Sequence, residues 1–171
     1  NPLRDFAPIS LLATSYLILL AHPSVPATSV RQLIALAKSR RGLLNYGSGG
    51  SGSTPHHAAE LFKSMAGVDM VHVPYKGTAQ LLPDLIDGRV SVAIDSLPAH
   101  LPHIKSGRLR GIAITSKART PLLPDMPTIA ESGFPNYQTT SWYGVLVKSG
   151  TPPMVVNRLG SELRRILALL T

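Results

Sequence analysis

A run of glycines and hydroxyl-bearing residues at positions 47–56 is the segment of this sequence best suited to chemistry. Its four glycines allow backbone N–H groups to turn toward one point, and Ser53 and Thr54 can cap a helix or donate hydroxyl hydrogen bonds. The run lies between a predicted strand and a predicted helix, whose N-terminus carries about half a positive charge. It is therefore predicted to hold a carboxylate or a phosphate, with a flexible Gly/Ser connector as the alternative.

Three further side chains are candidates for the same site. His56 lies in the first turn of the predicted helix, and Tyr75 and Asp95 lie at the ends of two later strands, where ligands bind in open α/β sheets. Each has a plainer alternative, namely polarity at a helix end for His56, a tight turn for Tyr75 and capping of the next helix for Asp95. The predicted ligand-binding residues are Gly50, Ser51, Gly52, Ser53, Thr54, His56, Tyr75 and Asp95.

The patterns of several enzyme classes do not fit the run. No lysine follows its glycines in the G-x-x-x-x-G-K-[ST] spacing of a phosphate-binding loop, and the G-x-S-x-G pattern of α/β-hydrolases is missing. A catalytic triad of Ser53, His56 and Asp95 can be drawn, although one helical turn between Ser53 and His56 does not aim the imidazole at the hydroxyl. A hydrolase using these three residues therefore stays as the alternative function, and no catalytic residue is assigned.

Metal and cofactor chemistry has little support in the sequence. His100 and His103 have an H-x-x-H spacing, but Pro102 lies between them and no third ligand is near in sequence. The sequence contains no cysteine, which removes disulfides and thiolate chemistry. No metal and no cofactor are expected.

The charge composition favours small anions over nucleic acid. The chain has 171 residues, 15% of them charged, and a formal net charge of +8. The basic residues are scattered and no nucleic-acid-binding motif is found, so no nucleic-acid partner is expected. No apolar run reaches the roughly 18 residues of a membrane-spanning helix.

Apolar periodicity predicts alternating strands and helices. The predicted strands are residues 9–20, 43–46, 70–73, 90–95, 109–115 and 141–147, and the predicted helices are 30–40, 55–65, 78–87, 98–106 and 152–170.

Capping boxes are expected at Ser29 with Gln32 and at Thr128 with Glu131, and Thr78 and Ser96 are expected to cap the helices that follow them. This order predicts an α/β fold with a mainly parallel, helix-flanked sheet. We assign residues 1–20 to a crossing strand, 21–127 to a ligand-binding domain and 128–171 to a return segment.

A set of linked motifs resembles the Bug family, the periplasmic substrate receptors of tripartite tricarboxylate transporters. The run NYGSGGSGSTPH is followed at the right distance by ELF, and HVPYKG and DSLP come after it. The similarity continues through residues 101–107, 123–128, 141–144 and 150–152, so it covers nearly the whole chain in register.

The resemblance implies a non-catalytic, two-domain receptor of the type II periplasmic-binding-protein fold. Such a receptor clamps a small carboxylate (an organic acid, an amino acid or an aromatic acid) and presents it to a membrane permease. In the family, backbone groups and ordered water from two opposed loops hold one carboxylate, and one of those loops corresponds to residues 50–56. A sensory domain that signals to a membrane partner is a further alternative.

The resemblance also implies more chain on either side of this sequence. The family's Gly/Pro-rich loop, which supplies half of the clamp, would precede Asn1, as would a signal peptide, and further helices would follow Thr171. We therefore expect residues 1–171 to form an incomplete two-domain receptor that binds carboxylates weakly by itself.

Overall fold

The structure, a computed structural model, describes residues 1–169, which divide into two units. One unit contains Asn1–Thr14 and the segment that begins at Trp142, and the other is Ser15–Ser141. The helices are α1 Pro2–Asp5, α2 Val30–Ser39, α3 Thr54–Ala66, α4 Thr78–Ile86, α5 Leu97–Lys105 and α6 Pro153–Leu167. The strands are β1 Phe6–Ala21, β2 Asn45–Ser48, β3 Val71–Pro74, β4 Val92–Ser96, β5 Arg110–Ile114 and β6 Thr140–Lys148.

The 15–141 unit is built on a sheet of strand order β3-β2-β4-β1-β5. Alternate residues at the end of β1 face opposite sides of this sheet, as the two-residue period of a strand requires. Leu17 and Leu19 belong to the apolar cluster on one side, with α2 and α3, whereas Ile18 and Leu20 belong to the cluster on the other side, with α4. The sheet is therefore covered on both faces, which explains why this part of β1 is a continuous apolar run.

The predicted α/β class is confirmed, and the sheet is more mixed than the expected mainly parallel one. β2 is parallel to β3 and to β4, whereas β1 is antiparallel to both of its neighbours, β4 and β5. The strand-helix alternation predicts parallel neighbours only when consecutive strands lie side by side. Here β1 lies between β4 and β5, so these two strands cannot pair with each other.

Local capping defines the starts of α2 and α3. The Ser29 hydroxyl accepts from the Gln32 N–H, and the Ser53 hydroxyl accepts from the His56 N–H. The expected capping box at Ser29 is incomplete, because the Gln32 side chain accepts from the Thr28 N–H and hydroxyl rather than from the Ser29 N–H. The capping box between Thr128 and Glu131 forms with both reciprocal hydrogen bonds, although no regular helix follows it.

Two caps were predicted wrongly. The N-cap of α4 is Gly77, with φ of 120°, and Thr78 is the first helical residue. Ser96 does stand at the N-cap position of α5, but its side chain makes no capping hydrogen bond. The Thr78 hydroxyl donates instead to the Asp95 carboxylate, which also accepts the Ser96 backbone N–H.

The segment between β5 and β6 is tied to α3 by a buried tyrosine. The Tyr137 hydroxyl donates to the Ala58 carbonyl at 2.9 Å, and the Tyr137 ring packs edge-on against Phe62. Thr115 fixes the other side of this segment by donating to the carbonyls of Leu17 and Thr139. Burial raises the pKa of Tyr137 to about 12, so its hydroxyl stays a donor at neutral pH.

The other unit is small and contains α6 with a strand pair. β6 pairs with β1, where Gly144 lies close to the Ser10 carbonyl, and the Ser149 N–H donates to the Asp5 carbonyl. Large apolar side chains such as Trp142 and Met154 are exposed in it. None of the helices within residues 1–169 combines the length and the apolar character needed to cross a membrane.

Candidate functional site

The loops that follow β2 and β3 touch at the backbone level. Because Ser48 is in register with Pro74, both strands end at the same edge of the sheet. A Cβ on Gly49 would lie 3.5 Å from Gly77 Cα, and a Cβ on Gly50 would lie 3.1 Å from the Tyr75 carbonyl oxygen. The contact at Gly49 is an ordinary one, whereas a side chain at Gly50 would press on the Tyr75 carbonyl, and Gly50 also has a left-handed φ of 127°.

The turn between Gly50 and α3 is held by its own hydrogen bonds. The Gly50 carbonyl accepts from the Ser53 N–H at 3.2 Å and from the Ser53 hydroxyl at 2.7 Å. The same hydroxyl oxygen accepts from the His56 N–H at 3.3 Å. Ser53 therefore closes the turn and caps α3 with one side chain, as the sequence predicted for its capping role.

The rest of the turn faces solvent. Ser51, Gly52 and Thr54 are exposed, and α3 has no acidic residue in its first turn. Among the N–H groups at the start of α3, that of His56 is accepted by the Ser53 hydroxyl and that of His57 by the Ser53 carbonyl, while Pro55 has none. The helix start therefore offers an anion the N–H of the exposed Thr54 and the positive end of α3.

A stack of three rings runs beside this turn. The Tyr46 ring on β2 lies on the His72 ring of β3, with centroids 4.8 Å apart and planes 16° apart. The His72 ring in turn lies on His56, at 4.3 Å and 23°. The register that pairs Tyr46 with His72 across β2 and β3 produces the first contact.

Each ring of the stack also makes a polar contact. The Tyr46 hydroxyl donates to Glu60, His72 Nε2 lies 2.7 Å from the Ser48 hydroxyl, and the Gly52 N–H donates to His56 Nδ1 at 3.1 Å. Burial lowers the pKa of His72, and the nearby His56 lowers it further. Burial alone would raise the pKa of Glu60, but hydrogen bonds from Lys63 and Tyr46 outweigh it and leave this pKa below the ordinary value.

Tyr75 contributes its backbone rather than its hydroxyl to the edge of the site. Its hydroxyl donates to Asp84 at 2.7 Å, and Asp84 also accepts from Arg89. Burial and the bond to the Asp84 carboxylate raise the pKa of Tyr75 to about 12. Its predicted place at the rim of the ligand site stays a prediction.

Asp95 is buried and fully engaged within the protein. One carboxylate oxygen accepts from the Thr78 hydroxyl at 3.0 Å and the Ser96 N–H at 2.8 Å, and the other lies 3.0 Å from His100 Nε2. Asp95 thus joins the starts of α4 and α5. Its predicted contact with ligand stays a prediction.

The triad drawn for the hydrolase alternative is wrong. Asp95 contacts His100, and His56 directs its Nδ1 to the Gly52 N–H rather than to the Ser53 hydroxyl. The Ser53 hydroxyl donates to the Gly50 carbonyl, so no base is placed to take its proton. Within residues 1–169, no group of three or more His, Cys, Asp or Glu side chains is arranged to hold a metal.

Sequence reasoning missed Ser48 and His72 as parts of this region. Neither residue is among the predicted ligand-binding residues. The signal that could have found them is register: if β2 and β3 are parallel neighbours, Tyr46 lies opposite His72, and the imidazole comes within reach of Ser48.

The comparisons with known proteins agree on one family. The model described as "Tripartite tricarboxylate transporter family receptor" matches residues 1–169. A UPF0065 protein encoded between tcbD and tcbE in a Pseudomonas species is 37% identical over 166 residues, and protein BugT of Bordetella pertussis is 34% identical over 165 residues. These alignments cover 96% of this chain but 49% and 51% of the relatives, so the chain spans about half their length.

Solved structures give the same result. The R. palustris protein Rpa4515, solved with adipate, is 44% identical with a TM-score of 0.88, and covers 95% of this chain and 55% of its own. MatC (Rpa3494) from Rhodopseudomonas palustris, solved with bound malate, is 30% identical with a TM-score of 0.87 over the same shares. Because the family model matches the whole described part of the chain, the resemblance to the Bug receptors is confirmed, and the protein belongs to the tripartite tricarboxylate transporter receptor family.

Proposed function

We propose that the protein containing this chain is a solute receptor that binds a small carboxylate at the turn of residues 49–54. The observation that carries the proposal is the geometry of this turn, in which Ser51, Gly52 and Thr54 are exposed at the N-terminus of α3, beside the edge where β2 and β3 end together. Carboxylates are well suited to such donors, since backbone N–H groups and a helix N-terminus together stabilise negative charge.

The comparisons support the ligand class. A protein 44% identical to this chain was solved with adipate, and one 30% identical was solved with malate. Both ligands are small dicarboxylates, so the same class is the first to test here. In this proposal Gly50, Ser51, Gly52, Ser53, Thr54 and His56 form one side of the site, Tyr75 its rim, and Asp95 holds α4 and α5 in place behind it.

The proposal includes the remainder of the receptor and its partners. The chain spans about half the length of its relatives, and we assign the opposing side of the carboxylate clamp to the other half. The family name and relatives described as periplasmic support a place in the periplasm and delivery of the solute to the membrane permease of a tripartite transporter. No turnover of the solute and no cofactor is part of this function.

Calorimetry with the whole protein tests the carboxylate site. Titration with adipate, malate and citrate should give saturable binding of at least one of them, whereas uncharged amides of the same acids should not bind. Gly50→Ala should weaken binding by about tenfold or more, because the added Cβ would press on the Tyr75 carbonyl at a left-handed φ.

Gly107→Ala is the matched control for this substitution. Gly107 also has a left-handed φ, of 74°, but no atom lies within 4 Å of its Cβ position, and it follows α5 rather than β2. It carries a similar backbone strain without touching the turn. Equal affinities for the acids and their amides, or equal losses in the two variants, would contradict the proposal.

A further inference from the structure

The contact between His56 and Gly52 defines which tautomer the neutral imidazole adopts. His56 Nδ1 accepts the Gly52 N–H at 3.1 Å, so this nitrogen carries no proton and the proton of the neutral ring is on Nε2. One face of the ring lies on His72, which prevents the side chain from turning away without loss of the stack. His56 therefore reaches back from the first turn of α3 and holds the exposed Gly52 in place.

On the basis of the proposed carboxylate site, we propose that His56 is a positioning residue of the turn: its neutral imidazole holds the Gly52 N–H, and carboxylate affinity depends on that contact. Protonation turns both ring nitrogens into donors. His56 Nδ1 and the Gly52 N–H are then both donors, so the hydrogen bond between them is lost. The turn loosens, and the backbone N–H groups on either side of Gly52 no longer point toward one position.

The charged and titratable groups that face His56 come from α3, β3 and β2. On α3 these are His57, Glu60 and Lys63, and Lys63 pairs with Glu60 at 2.8 Å. On β3 the facing group is His72, whose lowered pKa keeps it neutral to lower pH. Tyr46 of β2 completes the stack, and its raised pKa keeps its hydroxyl protonated.

The sign of the pH effect separates this role from a direct contact with ligand. If His56 holds the turn as an acceptor, binding is strongest with the imidazole neutral and weakens as the pH falls from about 8 to about 5, the range in which histidines titrate. If His56 instead met the carboxylate as a cation, binding would strengthen over the same fall in pH. The two roles thus predict changes of opposite sign in carboxylate affinity as the pH falls.

Two substitutions separate the two contacts of the His56 ring, namely the hydrogen bond accepted by Nδ1 and the stacking on His72. In His56→Asn the side-chain oxygen occupies a position like that of Nδ1 and cannot be protonated, so the acceptor is kept and the stack is lost. In His56→Phe the stack is kept and the acceptor is lost. The experiment measures the affinity of the whole protein for adipate at each pH and divides the value for the variant by that for wild type. Because both proteins meet the same protonation states of adipate, the titration of the ligand cancels in this ratio.

We expect H56N to bind like wild type at about pH 8 and to exceed it by about fivefold at about pH 5, the worth of one hydrogen bond. H56F should be about fivefold weaker than wild type at the higher pH and equal to it at the lower. His57→Asn, at the exposed neighbouring imidazole, should change neither value. A wild-type affinity that rises relative to H56N as the pH falls would overturn the proposal.

A measurement without ligand keeps this result separate from the proposed function. The ¹⁵N shifts of His56 should show an unprotonated Nδ1, and the Gly52 amide shift should follow the titration of His56 in wild type and stay constant in H56N. A protonated Nδ1 in the neutral ring, or a Gly52 amide that ignores the titration, would overturn the positioning role. An intact amide response together with no binding of any carboxylate would overturn the proposed function instead.

Discussion

An alanine Cβ at position 47 would lie 2.2 Å from Leu81 Cδ1 and 3.2 Å from Val90 Cγ1. Gly47 is buried inside β2, and Leu81 of α4 is fully buried against it. Gly47, the first glycine of the Gly/Ser run, is thus required by the packing of a helix on a strand. The turn proposed to bind carboxylate begins only after Ser48.

We expect Gly47→Ala to destabilise the protein by about 1–3 kcal/mol, because the clashing Leu81 side chain is fully buried and interiors are closely packed. Urea denaturation measures this loss. The control is the same substitution in a Leu81→Ala background, where the clashing methyl groups are gone and the cost of alanine at position 47 should largely disappear. Equal costs in the two backgrounds would show that the contact with Leu81 is not the cause.

Residue types predicted the turn better than they predicted its surroundings. Ser53 as a cap and the exposed glycines follow from local chemistry, which a short stretch of sequence contains. The stack of Tyr46, His72 and His56 depends instead on which strands are neighbours and in what register. Asp95 illustrates the same limit, since its position at a strand end was predicted but its buried partner His100 was not.

At the scale of elements, the segment between β5 and β6 supports α3, the helix of the proposed carboxylate site. Its capping box at Thr128 and Glu131 fixes its course, and the Tyr137 hydroxyl reaches the carbonyl of Ala58, two residues after His56. This segment therefore stabilises the position of α3 although it contains no regular helix or strand.

Tyr137→Phe removes the hydrogen bond and keeps the ring. We expect a loss of about 1 kcal/mol in the free energy of unfolding, since the Ala58 carbonyl still has its partner within α3. Thermal or urea unfolding checks the value. Tyr143→Phe is the matched control because Tyr143 is 55% exposed, and it should change stability by less than about 0.5 kcal/mol.

The helices of this unit were predictable to within about two residues, whereas the arrangement of the strands was not. Helix ends carry their own signals, such as Ser29 before α2 and Pro55 in the first turn of α3. A strand's alternation shows that it is buried but does not identify its neighbours. The insertion of β1 between β4 and β5 therefore could not be read from the pattern.

At the scale of the whole molecule, the chain passes between its two units twice. The passages lie at Thr14–Ser15 and at Ser141–Trp142, whereas the predicted divisions after residues 20 and 127 are untested and remain predictions. Trp142 is the one tryptophan of the sequence and is 63% exposed. Its fluorescence can therefore report on the passage at Ser141–Trp142.

We expect adipate to change the fluorescence of Trp142 in the whole protein, because a receptor that closes around its solute must absorb the motion where the chain passes between units. The titration should saturate with the midpoint found by calorimetry. Trp142→Phe supplies the control by removing this signal and leaving that of any tryptophan elsewhere in the protein. Unchanged Trp142 emission at calorimetric saturation would contradict this expectation.

The central position of β1 also determines when the 15–141 unit can be completed during synthesis. Leu17 pairs with Ser96, and Ile18 pairs with Ile114. The first strand, β1, therefore cannot pair within this sheet until β4 and β5 have been synthesised. At the pace of bacterial translation this delay is on the order of 5 to 20 s. Residues 17–21, the most apolar stretch of the unit, stay unpaired throughout it. They are the segment that we expect a chaperone to hold on the nascent chain.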